Sequence, residues 1–330
     1  MLSDVLGQSE VARKFLNAWR AGRLAQAYIL SGPDGIGKML FAMALVKTLL
    51  CEKQGDDACE RCASCRKMAH GNHEGLEILE PTGAGVVIKY DDVNGLIERL
   101  QYKLRAGEHR FVVLREADRV MQETANHFLK TLEEPPPNVT FFLLTARLPS
   151  LLPTIISRCQ TVRMHRARPE EIERFLLARG FDAAKAKLYA RLADGCPGRA
   201  VNMDEAGVFE RRESVLQRLL DANRDNEAVL AGEMLEANRE KTLTLTRASL
   251  NVELGLMAAL LRDMTLLAEG AGGPLLYNPD AEDKLGARAE RFSPRKLREL
   301  TLDVLEARTN IERNIHPDFV IGRLFTELAG

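Results

Sequence analysis

The apolar positions along this chain follow two regimes. Up to about residue 160, short unbroken apolar runs alternate with stretches of helical period. Ala27-Tyr28-Ile29-Leu30, Phe111-Val112-Val113-Leu114 and Phe141-Phe142-Leu143-Leu144 read as three buried strands. The first leads through a glycine-rich turn into an apolar helix from about Lys38 to Leu50. A second helix, between the other two strands, ends in Lys130-Thr131-Leu132-Glu133-Glu134 and is stopped by Pro135-Pro136-Pro137. A short helix over Leu151–Ile156 delivers Ser157-Arg158-Cys159. Unbroken apolar strands alternating with helices predict a parallel sheet covered on both faces.

After Arg163 the strand signals stop. Arg168-Pro169-Glu170-Glu171 opens a helix, with proline in the first turn and carboxylates at the positive end of the dipole, and Gly180 can cap it. A further helix runs to about Ala193, followed by Gly195-Cys196-Pro197-Gly198-Arg199. From about Phe209 onward the pattern is helical, apart from a loop at Gly270–Pro279. Ser293-Pro294 caps a helix whose apolar positions are Leu297, Leu300, Val304 and Leu305. The pattern divides the chain into an α/β domain (1–165) with an insert at 51–65, a small helical unit (166–206) and an all-α domain (207–330).

Composition narrows the function. A chain of 330 residues exceeds what one core supports, and 45% hydrophobic with 28% charged residues excludes wholesale disorder. Lys plus Arg is 46 and Asp plus Glu is 47, so bulk charge does not make this a polyanion binder. With 5% aromatics, base stacking is not the expected recognition device. No apolar run approaches the ~20 residues of a membrane span, and MLSDVLGQSE is no signal peptide, so no membrane contact and a cytoplasmic location are expected.

Gly32-Pro33-Asp34-Gly35-Ile36-Gly37-Lys38 follows a strand and opens a helix, the context in which a GxxxxGK pattern is a phosphate loop. Gly32, Gly35 and Gly37 let backbone N–H groups converge on phosphate oxygens at a helix N-terminus, and Lys38 adds a point charge. The next residue should be a Ser or Thr that holds Mg²⁺; it is Met39. A working site also wants Asp-Glu at the end of the second strand, where this chain has Arg115-Glu116. Both groups expected at the metal are missing, one with its charge inverted. ATP binding through the loop remains open, as does a loop kept only for the fold; a competent Mg²⁺ site and hydrolysis are not expected.

Cys51, Cys59, Cys62 and Cys65 form a C-x7-C-x2-C-x2-C cluster. In a reducing compartment this spacing reads as a structural four-thiolate Zn²⁺ site, with an iron–sulfur cluster as the rival. His70 and His73 read as non-ligands, and Cys159 and Cys196 as small buried hydrophobes.

Ser31–Lys38, the cysteine insert, Asn126–Pro136, Ser157–Cys159 and Gly195–Arg199 together resemble the clamp-loader branch of the AAA+ ATPases. A weaker likeness continues in Leu261-Arg262-Asp263 and Asn310…Asn314. The resemblance implies a P-loop (AAA+) domain with a parallel five-stranded sheet, a three-helix lid, and a helical collar that joins motor and wrench subunits in a five-membered ring. It implies work on a sliding clamp and on primer–template DNA within the DNA polymerase III holoenzyme. It assigns Arg158 to the ATP site of a neighbouring motor subunit, as an arginine finger acting in trans. It matches Thr145 to the polar residue near the γ-phosphate, and Arg199 to the lid arginine that touches nucleotide in active relatives. Met39, Arg115 and a chain ending at Gly330 favour a passive stator over a motor. Arg99, Lys103 and Arg105 read as a solvated helix face ahead of a DNA contact. The alternatives are an active loader ATPase and an unrelated zinc-bearing nucleic-acid processing module.

Overall fold

The computed structural model describes residues 1–82, 87–101 and 109–329. The chain divides into two compact units, residues 1–172 with 193–199, and residues 173–192 with 200–330.

The first unit runs α1 (Ser9–Arg20), β1 (Ala27–Ser31), α2 (Lys38–Leu49), α3 (Ala63–Ala69), β2 (Leu76–Leu79), α4 (Tyr90–Gln101), β3 (Arg110–Leu114), α5 (Gln122–Glu133), β4 (Val139–Thr145), α6 (Pro153–Ile156) and β5 (Gln160–Arg163). The five strands form one parallel sheet in the order β2-β3-β4-β1-β5. The three apolar runs read from the sequence are its centre, β3-β4-β1, and are buried along almost their whole length. Each is apolar at every position because each of its faces meets helices.

The alternation of side chains across the pleat sorts them into two cores. Tyr28, Leu30, Phe111, Val113, Phe142 and Leu144 pack with Phe15, Phe41 and Leu45 of α1 and α2. Ile29, Val112, Leu114, Phe141 and Leu143 pack with Leu96 of α4 and Phe128 of α5 on the other side. The register pairs Leu30 with Leu144 and Ser31 with Thr145, so the carboxyl ends of β1 and β4 lie side by side. The two edge strands, β2 and β5, are more exposed and more polar.

α7 (Pro169–Ala178) and α9 (Pro197–Glu205) each have residues in both units, and α8 (Ala183–Leu192) belongs to the second. The second unit continues with α10 (Val208–Asp221), α11 (Glu227–Ala237), α12 (Leu243–Ala268), α13 (Glu282–Ala289), α14 (Pro294–Glu312) and α15 (Pro317–Ala329). α12 is its axis. Leu250, Leu254, Met257, Leu261 and Met264 recur at helical spacing and are fully buried. α14 packs along α12 and against α15, and its Leu297, Leu300, Val304 and Ile311 are buried. Ser293 caps α14 as expected, its Oγ accepting from Lys296 N at 3.1 Å. Among the described residues, no helix is long and apolar enough to cross a membrane.

Candidate functional site

The phosphate loop joins the end of β1 to α2. Gly35 (φ 80°) and Gly37 (φ 96°) lie in the left-handed region, where an L side chain is strained, and Gly37 is the residue that precedes the helix. Gly35 carries a second constraint. A Cβ there would stand 2.7 Å from both Cγ and backbone N of Arg199, and Gly198 N donates to Gly35 O at 2.8 Å. The start of α9 is thus seated on the loop. The Arg199 side chain itself is exposed.

Lys38 turns back onto its own loop. Its Nζ donates to Gly32 O at 2.6 Å and Pro33 O at 3.1 Å and lies 3.4 Å from Asp34 Oδ1. Met39 packs, partly buried, against the adjacent core. A thioether in apolar surroundings offers nothing to a hard cation such as Mg²⁺.

The ends of β3 and β4 complete this edge of the sheet. Arg115 donates to Glu80 Oε2 at 3.1 Å and lies 3.8 Å from Glu116 Oε1, whose other oxygen pairs with Arg119. Glu116 therefore stands between two guanidinium groups. Thr145 is fully buried beside the loop, and its carbonyl accepts from Gly32 N at 3.2 Å. Its hydroxyl donates to Asp118 Oδ1 at 2.9 Å, while Arg147 pairs with Asp118 Oδ2 at 3.2 Å. The resemblance singled out Thr145 but not its partner Asp118, which lies one short turn beyond Arg115-Glu116.

Arg158 follows α6. Its Nη1 donates to Thr154 O at 3.0 Å and contacts Ser157 Oγ at 3.3 Å, and its Nη2 pairs with Glu133 at the end of α5. The side chain keeps about a third of its surface in solvent (34%), against 12% for Lys38. Arg158 is accessible and the loop lysine is largely covered.

The four cysteines converge. Their Sγ atoms all lie within 4.8 Å of one another, and Cys51 and Cys62 are 4.0 Å apart. Thiolates ~2.3 Å from a tetrahedral ion sit roughly 3.8 Å apart, so the donor set fits a four-sulfur metal site. Backbone N–H groups also point at the sulfurs, from Cys59 to Cys51 (3.4 Å) and from Cys65 to Cys62 (3.3 Å). The Arg61 N–H is the largest factor lowering the Cys59 thiol to about 6, whereas burial pushes Cys65 up to about 12. The insert is anchored by Asp57, which accepts from Leu2 N (2.9 Å), Ser3 N (3.0 Å) and Ala58 N (2.8 Å).

His73 is engaged elsewhere: Nδ1 accepts from Gly75 N and Nε2 meets Ser64 Oγ, both at 2.9 Å. Cys196 is buried and Cys159 is partly buried, each with its thiol pushed up by burial, Cys159 to about 11. Arg99 pairs with Glu77 at 3.0 Å, as suits a solvated face; Lys103 and Arg105 lie outside the described residues.

The loop, the cysteine insert and the Ser-Arg-Cys segment, on which the resemblance to clamp loaders rests, all lie on the five-stranded α/β unit. Residues 7–168 match the family described as "DNA polymerase III, delta subunit". DNA polymerase III subunit delta' of Bacillus subtilis is 26% identical over 94% of this chain and 92% of its own length. The subunit of the same name from Escherichia coli is 29% identical over 90% of this chain and 86% of its own. DNA polymerase III subunit tau of Escherichia coli is 30% identical over 74% of this chain but only 39% of its own length. Residues 7–168 thus match that family, and over nearly its whole length the chain is similar to the delta' subunits of DNA polymerase III.

Proposed function

We propose that this chain is the stator of a clamp loader. It has no ATP turnover of its own, and it presents Arg158 to the ATP site of a neighbouring motor subunit. The observation that carries this reading is the contrast between two cationic side chains. Lys38, the cation of its own loop, is folded onto loop carbonyls and largely covered, while Arg158, though tied to Thr154 O and Glu133, keeps about a third of its side chain in solvent. Met39, partly buried against the core, and Arg115 beside Glu116 support the same reading, because neither can organise a Mg²⁺ shell. A guanidinium entering from a neighbour neutralises charge that develops on the transferring phosphoryl group, worth roughly 10³–10⁵ in rate where such groups act.

The relatives named delta' and tau support a place among motor and wrench subunits in a ring that loads a sliding clamp on primer–template DNA. In this assignment residues 1–165 are the P-loop domain, 166–206 the lid and 207–330 the collar that holds the ring together. The cysteine cluster is a structural Zn²⁺ site, since four sulfurs close the shell and leave no position for substrate. Zinc there would pin the polar segment between Cys51 and Cys59.

The test of the passive half of this reading is Mg²⁺-dependent ATP hydrolysis by the purified chain. Background turnover, unaltered by Lys38→Ala, is the expected result. Turnover abolished by Lys38→Ala would make the chain a motor.

A further inference from the structure

In the second unit a groove of about 400 Å³ lies between α8, the start of α10 and the segment 277–280. Leu188 is its buried floor, and the rings of Phe209, Tyr277 and Pro279 are its walls. The wall that carries Tyr277 and Pro279 is a loop, yet it is held at several points. Asp263, fully buried, accepts from Tyr277 N (3.0 Å), Asn278 N (2.7 Å) and Asn278 Nδ2 (2.8 Å). The Arg262 guanidinium stacks 4.0 Å from the Tyr277 ring centroid. Arg191 Nη1 donates to Leu276 O at 2.6 Å, and Arg212 Nε donates to Asn278 Oδ1 at 2.8 Å. An apolar groove whose rings are fixed in advance binds with little ordering penalty.

Of the three cations lining this groove, Lys187, Arg191 and Arg212, two have no ion-pair partner among the described residues. Lys187 and Arg191 stand four residues apart on α8, a spacing at which like charges repel and weaken a helix. The one carboxylate lining the groove, Asp280, is taken up by Arg212, with both oxygens 2.9 Å from guanidinium nitrogens. Among the described residues, Lys187 has no ion-pair partner. The hydrogen bond that Arg191 makes goes to a neutral carbonyl.

We infer that this groove binds a short acidic peptide carrying one large apolar side chain. The apolar side chain would enter between Phe209 and Tyr277 over Leu188, and the flanking carboxylates would meet Lys187 and Arg191 and relieve their repulsion. Single-stranded nucleic acid fits less well. It needs a run of cations tracking a backbone, and here two cations flank an apolar groove.

The test uses the full chain and fluorescence anisotropy with a labelled pool of short peptides. Each peptide combines several Asp or Glu with one Phe or Leu. A matched pool with Lys for the acids, and oligothymidylate, are the comparisons. The expected result is binding of acidic members only. Affinity should fall roughly tenfold in Lys187→Glu and return in Lys187→Arg. Phe209→Ala should weaken binding without altering the response to salt. No binding by any acidic member, binding indifferent to Lys187→Glu, or equal binding of oligothymidylate at the same residues would each overturn the proposal.

Discussion

Arg158 pairs with Glu133, twenty-five positions earlier in the chain, across the gap between the end of α5 and the end of α6. Both side chains are partly in solvent, so the pair is of the weak, exchangeable kind. A phosphate group carries more charge than one carboxylate and accepts from a guanidinium in two-pronged fashion. The pair therefore holds Arg158 in place without committing it.

Glu133→Gln tests this directly. The unfolding free energy should change by less than about 1 kcal/mol, the usual span for exposed ion pairs. Urea denaturation measures it. A much larger loss would mean that the pair is part of the framework, and would remove Arg158 from consideration as a donor to another chain.

Met39→Thr should not restore hydrolysis. The new hydroxyl would supply one Mg²⁺ ligand, but the Arg115 guanidinium would still stand beside Glu116, where a metal-binding carboxylate is required. A phosphate-release assay on the purified variant should stay at background. Clear Mg²⁺-dependent turnover would contradict the reading of the β3 terminus.

Metal removal should act locally and then along the Asp57 link. Purified chain should carry about one zinc, measured by elemental analysis. Chelation should speed amide exchange over residues 51–65. It should also speed exchange at Leu2 and Ser3, whose N–H groups bond to Asp57. Amides of the central strands should keep their protection, since neither sheet core contains a residue of 51–65. Protein free of metal yet protected over 51–65 would defeat the assignment.

The acid limb of stability should contain a contribution from His109. This ring packs against Trp19 and Phe111, and burial lowers its pKa from 6.5 to about 4. The unfolded chain then binds a proton between these values that the folded chain does not. Stability due to His109 is complete above about pH 6.5 and falls as pH drops towards 4. Between pH 7 and 5, the urea midpoint of the native chain should drop more than that of His109→Gln. Parallel slopes would contradict the shift.

The parts of this molecule that were legible in its sequence are those whose signal is local. The three central strands announced themselves because both their faces are buried, which leaves an unbroken run of four apolar residues in each. β2 and β5 are edge strands. Gln160-Thr161-Val162-Arg163 faces solvent along much of its length and carries no apolar run to read. The same division holds at the site. The glycine loop and the cysteine spacing are contiguous and could be read directly. The partners of the functional side chains could not, because they come from distant sequence: Glu80 for Arg115 at a separation of 35, and Asp118 for Thr145 at 27. No periodicity links such pairs; the sheet order alone brings them together.

The central claim concerns Arg158 acting on another chain's nucleotide, and one measurement addresses it. A clamp loader reconstituted with the Arg158→Ala chain should assemble at normal stoichiometry, and its DNA-stimulated ATPase should fall by the share of the site next to this subunit. An assembled complex with unchanged ATPase would contradict the account.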